Sequence, residues 1–211
     1  MTTQPAVIVL AAGKGSRFHG CAHKLAQRLG PMTLLGTTLR QAVASGLPVV
    51  VVTTEAFAAL ARVSVAARHV VVLPDVDAPG APALGMGYSI AAGVAASSEA
   101  SGWIILPGDM PLVRSATLQA VARELRSHPV VYAQHRGRRG HPVGFAAELY
   151  SELVVLSGDE GARRLVSRYP ALGLELDDPG VLLDVDTESD LERVRGAAPA
   201  TVGPVPQRFT L

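Results

Sequence analysis

The sequence predicts an α/β domain in which a mostly parallel sheet is covered by helices on both faces. Short runs of apolar, β-branched residues recur along the chain, longer helical patterns separate them, and the runs are apolar throughout rather than alternating. A chain of 211 residues can bury one good core. We therefore expect one domain over residues 1–196 and an extended or disordered tail over 197–211.

The first half of the chain alternates strand and helix patterns. Ala6–Leu10 is a continuous apolar run before a glycine-rich loop, which predicts a buried strand. Leu34 to Ala44 has helical spacing and ends at Ser45-Gly46, which predicts a helix. The same patterns predict, in order, a strand at Val49–Thr53, a helix at Glu55–Val63, a strand at Val70–Leu73, a helix at about Tyr88–Ala96 and a strand at Trp103–Leu106.

The second half continues the alternation with shorter elements. Ser115 is predicted to cap a helix that runs to about Arg126, and Val130–Ala133 predicts a fifth strand. The stretch 134–144 that follows is basic and rich in glycine. Beyond it we expect helices near Ala146–Leu156 and Glu160–Ser167, short strands near Leu172–Leu176 and Val181–Val185, and a helix from a Thr187 cap to about Arg195.

The composition excludes several classes of protein. The 19 basic and 18 acidic residues nearly cancel, so no basic excess is available to neutralise a nucleic-acid backbone. A single cysteine excludes a disulfide framework and a cysteine-rich zinc site. The apolar runs are far shorter than the ~20 residues that a membrane helix needs, and the N-terminus does not read as an export signal. We expect a soluble, cytoplasmic protein.

The loop after the first strand has the composition of a phosphate-binding loop. In a parallel α/β sheet, ligands bind beyond the carboxyl ends of the strands, so the loops after Leu10, Leu73, Leu106 and Val185 are the candidates. The residues from Ala11 to Ser16 are mostly small, which lets main-chain amides approach an anion. Arg17 and Lys24 follow, and Lys24 is one of only two lysines in the chain. The loop has neither Walker nor G-x-G-x-x-G spacing, and an ordinary strand-to-helix turn remains the alternative.

Acidic residues follow two of the other strands. Asp109 lies between glycine and proline at the end of the fourth strand, where it could meet Mg²⁺ on a nucleotide or stabilise its own turn. Asp184 and Asp186 come at the end of the last predicted strand, and alternation along a strand puts them on one face. One of that pair could be only an accessory cap. His19, Cys21 and His23 form no plausible ligand set and read as loop and packing residues.

In their order and spacing these residues resemble the nucleotidyltransferases that attach a nucleotide to molybdopterin, above all the molybdenum cofactor cytidylyltransferases. The resemblance covers about residues 6–195, and in one departure Gly87 stands where a serine is typical. The matching segments are Leu10–Gly13 with Arg17 and Lys24-Leu25, Gly108–Leu112, Gly137–Val143, Ser157–Arg163 and Asp177–Leu191.

The resemblance implies a Rossmann-like, three-layer nucleotidyltransferase fold, similar to GT-A, and transfer of CMP from CTP to the phosphate of molybdopterin with Mg²⁺ as cofactor. CTP and molybdopterin are the implied small-molecule partners, with a molybdoenzyme or its chaperone receiving the product and with neither nucleic acid nor membrane involved. The implied catalytic residues are Arg17, Lys24 and Asp109; the metal ligands are Asp109 and Asp186; the nucleotide-binding residues are Leu10, Ala11, Ala12, Gly13, Lys14, Gly15, Ser16, Arg17, Lys24, Gly85 and Ser89; and the acceptor-binding residues are Arg139, His141 and Arg163.

Other functions stay open at this point. A related transferase could use GTP or another phosphate acceptor, although the Ala11-Ala12-Gly13 opening favours the cytidylyl branch. Some proteins described as nicotine blue oxidoreductases also resemble this family, so a nucleotide-binding redox protein is a second alternative. The presence of both Asp109 and Asp186 argues against it, because hydride transfer needs no Mg²⁺ pair. A catalytically idle molybdopterin chaperone is a third alternative, and the presence of Lys24 and Asp109 argues against that one.

Overall fold

Strands and helices alternate along the chain in a computed structural model that describes residues 4–15, 18, 22–74 and 85–197. The strands are β1 (Ala6–Ala11), β2 (Arg28–Leu29), β3 (Met32–Thr33), β4 (Val49–Thr54), β5 (Val70–Leu73), β6 (Gly102–Pro107), β7 (Val130–His135), β8 (Arg138–Ala146) and β9 (Ala171–Glu175). The α-helices are α1 (Leu34–Ala44), α2 (Glu55–Ser64), α3 (Gly85–Ala95), α4 (Ser115–Glu124), α5 (Tyr150–Leu153), α6 (Arg163–Arg168) and α7 (Glu188–Ala197), and short 3-10 turns occupy Lys24–Ala26, Ala67–His69, Ala147–Leu149 and Pro179–Leu182.

A seven-stranded sheet in the order β5-β4-β1-β6-β8-β7-β9 organises the domain. Strand β8 is antiparallel to both of its neighbours, and the other pairings in the sheet are parallel. The predicted α/β class with a mostly parallel sheet is confirmed. Strand β1 lies between β4 and β6, so the loops that follow these three strands meet at one edge of the sheet.

The core has one layer on each side of the sheet. Successive side chains of a strand point to opposite faces, and β1 shows this division. Val7 and Val9 belong to an apolar cluster that includes residues of α1, α2, α4 and α7. Ala6 and Ile8 belong to a second cluster with residues of α3, α5 and α6. All four side chains are almost completely buried, so β1 is fixed from both sides and gives the loop after it a rigid base.

The predicted strand at Val181–Val185 is wrong. Residues 179–182 form a 3-10 turn, and 183–186 have no regular structure. Pro179 begins the turn and the Asp178 carboxylate accepts the amide of Gly180, which favours a turn over an extended strand. A Cβ atom on Gly180 would lie 2.3 Å from the carbonyl oxygen of Leu112, so the turn packs directly on the chain after β6.

Ser115 does not cap the helix that follows it. It is the first residue of α4, and Arg114, at the capping position, makes no side-chain cap bond. More distant side chains bind the free amides instead: the Gln41 side chain accepts from Ser115, and the Asp178 carboxylate accepts from Arg114. The cap therefore comes from tertiary contacts rather than from the local sequence.

The basic stretch 134–144 forms most of a β-hairpin, and its second strand, β8, was not expected from the sequence. Strands β7 and β8 pair through Gln134–Arg139 and His135–Arg138 around a turn at Arg136 and Gly137. Both turn residues have positive φ, 52° and 72°, which is the geometry of a tight hairpin. The amides of Arg136 and Gly137 donate to the Glu175 carboxylate of β9, which stabilises the strained arginine.

The described residues end in helix α7. Thr187 caps α7 as predicted: its hydroxyl accepts from the amide of Asp190, and the Asp190 carboxylate accepts from the amide of Thr187. Helix α7 ends at Ala197, and the rest of the expected tail, 198–211, lies outside the described residues. Within the described ranges, no helix is both long and apolar enough to cross a membrane.

Candidate active site

The loop after β6 is attached to the end of β1. The amide of Gly108 donates to the carbonyl of Leu10 at 2.8 Å, and the Thr38 hydroxyl of α1 donates to the carbonyl of Gly108 at 2.9 Å. A Cβ atom at position 108 would lie 2.9 Å from the Leu10 oxygen, which explains the glycine. Asp109 therefore projects from a loop whose preceding residue is fixed on two sides.

A second acidic segment is joined to the same loop. The amide of Val185 donates to the carbonyl of Asp109 at 3.1 Å, and Val185 is fully buried. The next residue, Asp186, has its amide 3.2 Å from the Asp190 carboxylate, which also accepts from Thr187. These contacts bring Asp186 beside Asp109, whereas the Asp184 side chain is exposed.

Lys24 lies between the two carboxylates. Its Nζ donates to Asp109 Oδ2 at 2.7 Å and to Asp186 Oδ1 at 2.8 Å. The side chains of Lys24, Asp109 and Asp186 are only 11%, 17% and 19% exposed, respectively. Burial disfavours the charged ammonium, but attraction to Asp109 and hydrogen bonds to both carboxylates outweigh it, so the pKa of Lys24 is raised. The lysine is therefore fully charged at neutral pH.

Asp109 retains a buried oxygen that has no hydrogen-bond partner among the described residues. Its Oδ1 is buried without a hydrogen-bond partner, which is costly for a carboxylate unless a ligand uses it. Mg²⁺ typically binds one or two protein carboxylates and completes its shell with phosphates and water. Among the described residues no cluster of three or more His, Cys, Asp or Glu could hold a metal. The pair Asp109 and Asp186 thus fits a metal that arrives with a phosphate ligand.

The described part of the loop after β1, residues 12–15, is open to solvent. Gly13 and Lys14 are exposed, and Gly15 has a positive φ of 61°. His23 supports this loop: its Nε2 lies 3.0 Å from the carbonyl of Gly13, and its ring lies 4.7 Å from that of Phe57. The reading of His23 as a loop and packing residue agrees with these contacts. Ser16, Arg17, His19 and Cys21 lie outside the described residues.

The carbonyls at the end of β1 already have partners. The Leu10 oxygen accepts from Gly108, and the Ala11 oxygen accepts from the Thr53 hydroxyl at 3.2 Å. Ala11 is buried and Ala12 is half-buried. A ligand that contacts either oxygen would therefore have to share it with an existing hydrogen bond.

The start of α3 packs main chain to main chain against residues 157–159. Gly85 has a φ of 67°, and a Cβ atom there would lie 2.3 Å from the carbonyl carbon of Gly158. The amide of Gly87 donates to the carbonyl of Gly158 at 2.8 Å. Ser89, one turn further, is 9% exposed, so it lies at the edge of the core and not on an open wall. The preceding loop, 75–84, lies outside the described residues.

The three predicted acceptor residues share one electrostatic neighbourhood. His141 lies on β8, and burial lowers its pKa; attraction to Asp109 and Asp184 opposes this, while Arg139 and Arg163 lower it further. His141 is therefore neutral at pH 7. Arg139 is exposed, with its guanidinium 4.8 Å from the centre of the Tyr132 ring, and Arg163 is exposed at the start of α6.

Arg138 lies on the other face of the hairpin. Neighbouring residues of a strand point to opposite sides, and Arg138 lines a separate groove with Leu182, Leu183 and Arg193. Arg164 is exposed and paired with Glu160. Arg138 is thus separated from the candidate acceptor residues, whereas Arg164 lines the same surface pocket as Arg163.

Two structural carboxylates were not singled out from the sequence. Asp190 holds the main chain of Asp186, and its position three residues after Thr187 is the spacing of a capping box, a signal that was available. Asp178, 3% exposed, accepts from Arg114, Thr117 and Gly180 and so fastens the 3-10 turn to α4. No local sequence pattern indicates that Asp178, and not the adjacent Asp177, has this structural role.

Comparison with known proteins gives consistent matches. The family model of the MobA-like NTP transferase domain matches residues 7–172. The sequence is 34% identical to the purine catabolism protein PucB of Bacillus subtilis over 119 residues, which are 54% of this chain and 57% of PucB. It is 37% identical to the bifunctional protein GlmU of Kineococcus radiotolerans over 131 residues, which are 58% of this chain and 26% of GlmU. The chain thus matches little more than half of one curated relative and about a quarter of the other.

Solved structures match over nearly the whole chain. The crystal structure of Rv0371c from Mycobacterium tuberculosis has a TM-score of 0.77 at 30% identity, covering 92% of this chain and 99% of Rv0371c. The crystal structure of Rv0371c in complex with manganese has a TM-score of 0.75 at 29% identity, covering 93% of this chain and 100% of the other.

Proposed function

The chain belongs to the MobA-like NTP transferase family, and from that premise we propose that this nucleotidyltransferase moves CMP from CTP to the terminal phosphate of molybdopterin and releases pyrophosphate. Family and fold give the reaction class. The choice of CTP and molybdopterin rests on the sequence motifs together with the groups that surround the candidate site.

One observation carries the proposal. Lys24 is held between Asp109 and Asp186 at the carboxyl edge of the sheet, beside the open loop at Gly13 and Lys14. Nucleotidyl transfer needs positive charge at the α-phosphate and acids that hold a metal, and asks for little covalent chemistry from the protein. The proposed reaction therefore depends on positioning and electrostatics, which this cluster supplies.

Each group has a separate task in the proposed reaction. The amides of residues 12–15 would bind the triphosphate, and the Lys24 ammonium would offset charge on the α-phosphate and on the departing pyrophosphate. Arg17 would share that task. Asp109 and Asp186 would hold the metal, which we take to be Mg²⁺; when bound, it supplies further positive charge at the phosphates.

The proposed choice of base rests on the main chain of the first loop. Ala11 and Ala12 bring no side-chain donor or acceptor, so main-chain groups must read the base edge. Since the carbonyls of Leu10, Ala11 and Gly13 already have hydrogen-bond partners, we assign that task to the Ala12 carbonyl and the Gly13 amide. Cytosine offers an amino donor beside acceptors, which one carbonyl and one amide could satisfy. Gly85 and Ser89 are proposed to complete the nucleotide site from α3.

The proposed acceptor site lies around His141. Arg139 and Arg163 supply positive charge for the molybdopterin phosphate, and the neutral imidazole of His141 can donate one hydrogen bond and accept another. The attraction of Asp109 for protonated His141 supports an acceptor site near the proposed metal-binding acids, where an acceptor phosphate would attack. A molybdoenzyme or its chaperone would take the product.

A competition assay tests the donor and the acceptor together. The enzyme is given CTP, GTP and molybdopterin at equal concentrations, and the dinucleotide product is identified by mass. CTP should be preferred by at least about tenfold in kcat/KM, or ~1.4 kcal/mol. A dominant guanine product would move the chain to a GTP-using reaction, and pyrophosphate release that does not respond to molybdopterin would point to another phosphate acceptor.

Matched variants test the acceptor site. Arg139→Ala should raise the KM for molybdopterin several-fold and leave the KM for CTP nearly unchanged. Arg138→Ala removes the same charge from the opposite face of β8 and should change neither constant. Equal effects of the two substitutions would show that only general positive charge matters there.

A further inference from the structure

The Lys24 ammonium lies where a metal bridging Asp109 and Asp186 would have to bind. It is 2.7 Å from Asp109 Oδ2 and 2.8 Å from Asp186 Oδ1, and its side chain is 11% exposed. A magnesium ion needs carboxylate oxygens at ~2.1 Å. A bridging divalent ion would therefore meet a buried positive charge already bound to both acids.

Lys24 leaves few carboxylate oxygens for a metal that binds without nucleotide. While Lys24 is in place, Asp109 Oδ1 is the buried carboxylate oxygen in the described part of the site that lacks a hydrogen-bond partner. A metal bound there alone would have one protein ligand and a nearby ammonium that repels it. One such oxygen is a weak site for Mg²⁺, which gives up its water reluctantly.

A nucleoside triphosphate would change this balance. Its phosphates offer Lys24 alternative anionic oxygens, and the four-carbon stem of lysine can swing its charge from one partner to another. Once the ammonium contacts phosphate, the carboxylate oxygens that it held, Asp109 Oδ2 and Asp186 Oδ1, can turn to a metal, and the phosphates add further metal ligands. The lysine would then be close to the charge that the reaction develops.

We propose that Lys24 acts as an internal counter-ion that keeps divalent metal out of the Asp109–Asp186 pair until a nucleoside triphosphate draws it away. The metal then enters together with the nucleotide and not before it. The inference rests on the proposed nucleotidyl transfer only for the identity of the displacing ligand. Competition between the lysine and the metal is a property of the nucleotide-free protein.

Manganese binding without nucleotide tests the proposal directly. Free Mn²⁺ is measured by electron paramagnetic resonance in titrations of the wild type, Lys24→Met and Arg138→Met. Lys24→Met should bind Mn²⁺ at least about tenfold more tightly than the wild type, since the variant lacks the ammonium that contacts Asp109 Oδ2 and Asp186 Oδ1. Arg138→Met removes one charge on the far face of β8, and its affinity should match that of the wild type. Equal affinities of wild type and Lys24→Met, whether tight or weak, would overturn the proposal.

Two further measurements keep the result interpretable. Adding Asp109→Asn to Lys24→Met should remove the gained affinity, and Lys24→Gln replaces Lys24→Met if circular dichroism shows that the latter is unfolded. In the wild type, Mn²⁺ with a non-hydrolysable CTP analogue should raise the Tm, whereas Mn²⁺ alone should not. A wild type whose Tm rises with Mn²⁺ alone would overturn the proposal. A wild type whose Tm rises with neither Mn²⁺ nor the CTP analogue would count against the transfer function, while the nucleotide-free comparison would still decide the role of Lys24.

Discussion

The carbonyl oxygen of Asp109 accepts a hydrogen bond from the amide of Val185 at 3.1 Å. This main-chain contact joins two segments that are distant in the sequence, and with the hydrogen bond from the Asp186 amide to Asp190 it brings Asp186 beside Asp109. Asp186, directly after Val185, is turned toward Lys24, and Asp184, directly before it, is exposed. The two carboxylates therefore have different surroundings although only one residue separates them.

Replacing either acid that contacts Lys24 should abolish metal-dependent turnover. Asp109→Asn and Asp186→Asn each remove a charged metal ligand, and a metal effect of several kcal/mol corresponds to a loss of about 100-fold or more. Pyrophosphate release at saturating CTP measures the loss. Asp184→Asn is the matched control and should stay within a few-fold of the wild type. Turnover near that of the wild type in Asp109→Asn or Asp186→Asn would remove that residue from the metal site.

Lys24→Arg should reduce turnover about tenfold or more although it preserves the charge. The ammonium fits as a point charge between two carboxylate oxygens, whereas the planar guanidinium is larger and binds oxygens in a fork. The kcat at saturating CTP is compared with that of the wild type. An unchanged kcat would mean that Lys24 supplies only a general positive potential.

Elements with a local signal were predictable from the sequence. The helix at Leu34–Ala44 has the predicted bounds because its spacing and its Ser45-Gly46 ending are local features. The hairpin strand β8 was missed because Gly140, Pro142 and Gly144 disfavour a strand, and its pairing depends on a turn that Glu175 holds from another strand. Tertiary contacts there override the local composition.

The candidate site, like the fold, was predictable only where local sequence signals determine it. Sequence position alone suggested that Asp109, Asp186 and Lys24 lie at loops on one edge of the sheet, because parallel strands end there. Their mutual distances depend on the contact between Asp109 and Val185, which no pattern within either segment indicates. The expected strand alternation at Asp184 and Asp186 was wrong for the same reason, since the segment hydrogen-bonds to a loop and not to a neighbouring strand.

Gly87→Ser should destabilise the protein, although serine is typical at this position in the family that the sequence resembles. A Cβ atom there would lie 2.7 Å from the Ser157 carbonyl oxygen and 2.8 Å from its nitrogen, so the 157–158 main chain would have to move. Overpacking of this kind costs about 1–3 kcal/mol. Urea denaturation measures the free energy of unfolding. Gly196→Ala is the control, because a Cβ atom on Gly196 meets no atom within 4 Å. A stable Gly87→Ser variant would mean that this junction adapts easily.

Asp190→Asn should lower the free energy of unfolding at neutral pH but not in strong acid. The carboxylate accepts from the amides of Asp186 and Thr187 and pairs with Arg193. Burial opposes its ionisation, but the hydrogen bonds from Thr187 and Arg193 outweigh this and lower its pKa from 3.8 to about 2. A carboxylate with a depressed pKa stabilises the fold above its unfolded pKa, and the contribution is lost as pH falls toward the folded value.

The expected pH profile follows from that sign. Loss of a helix cap costs about 1 kcal/mol. The free energy of unfolding of the wild type should therefore exceed that of Asp190→Asn by about this amount from pH 5 to 8. The difference should shrink below about pH 4 and be mostly lost by about pH 2, where the wild-type carboxylate is about half protonated. Urea midpoints measured across this range give the profile, with Glu188→Gln as the control, because Glu188 is an exposed acid in the first turn of the same helix. A difference that stays constant down to pH 2 would show that the cap acts through its geometry and not through its charge.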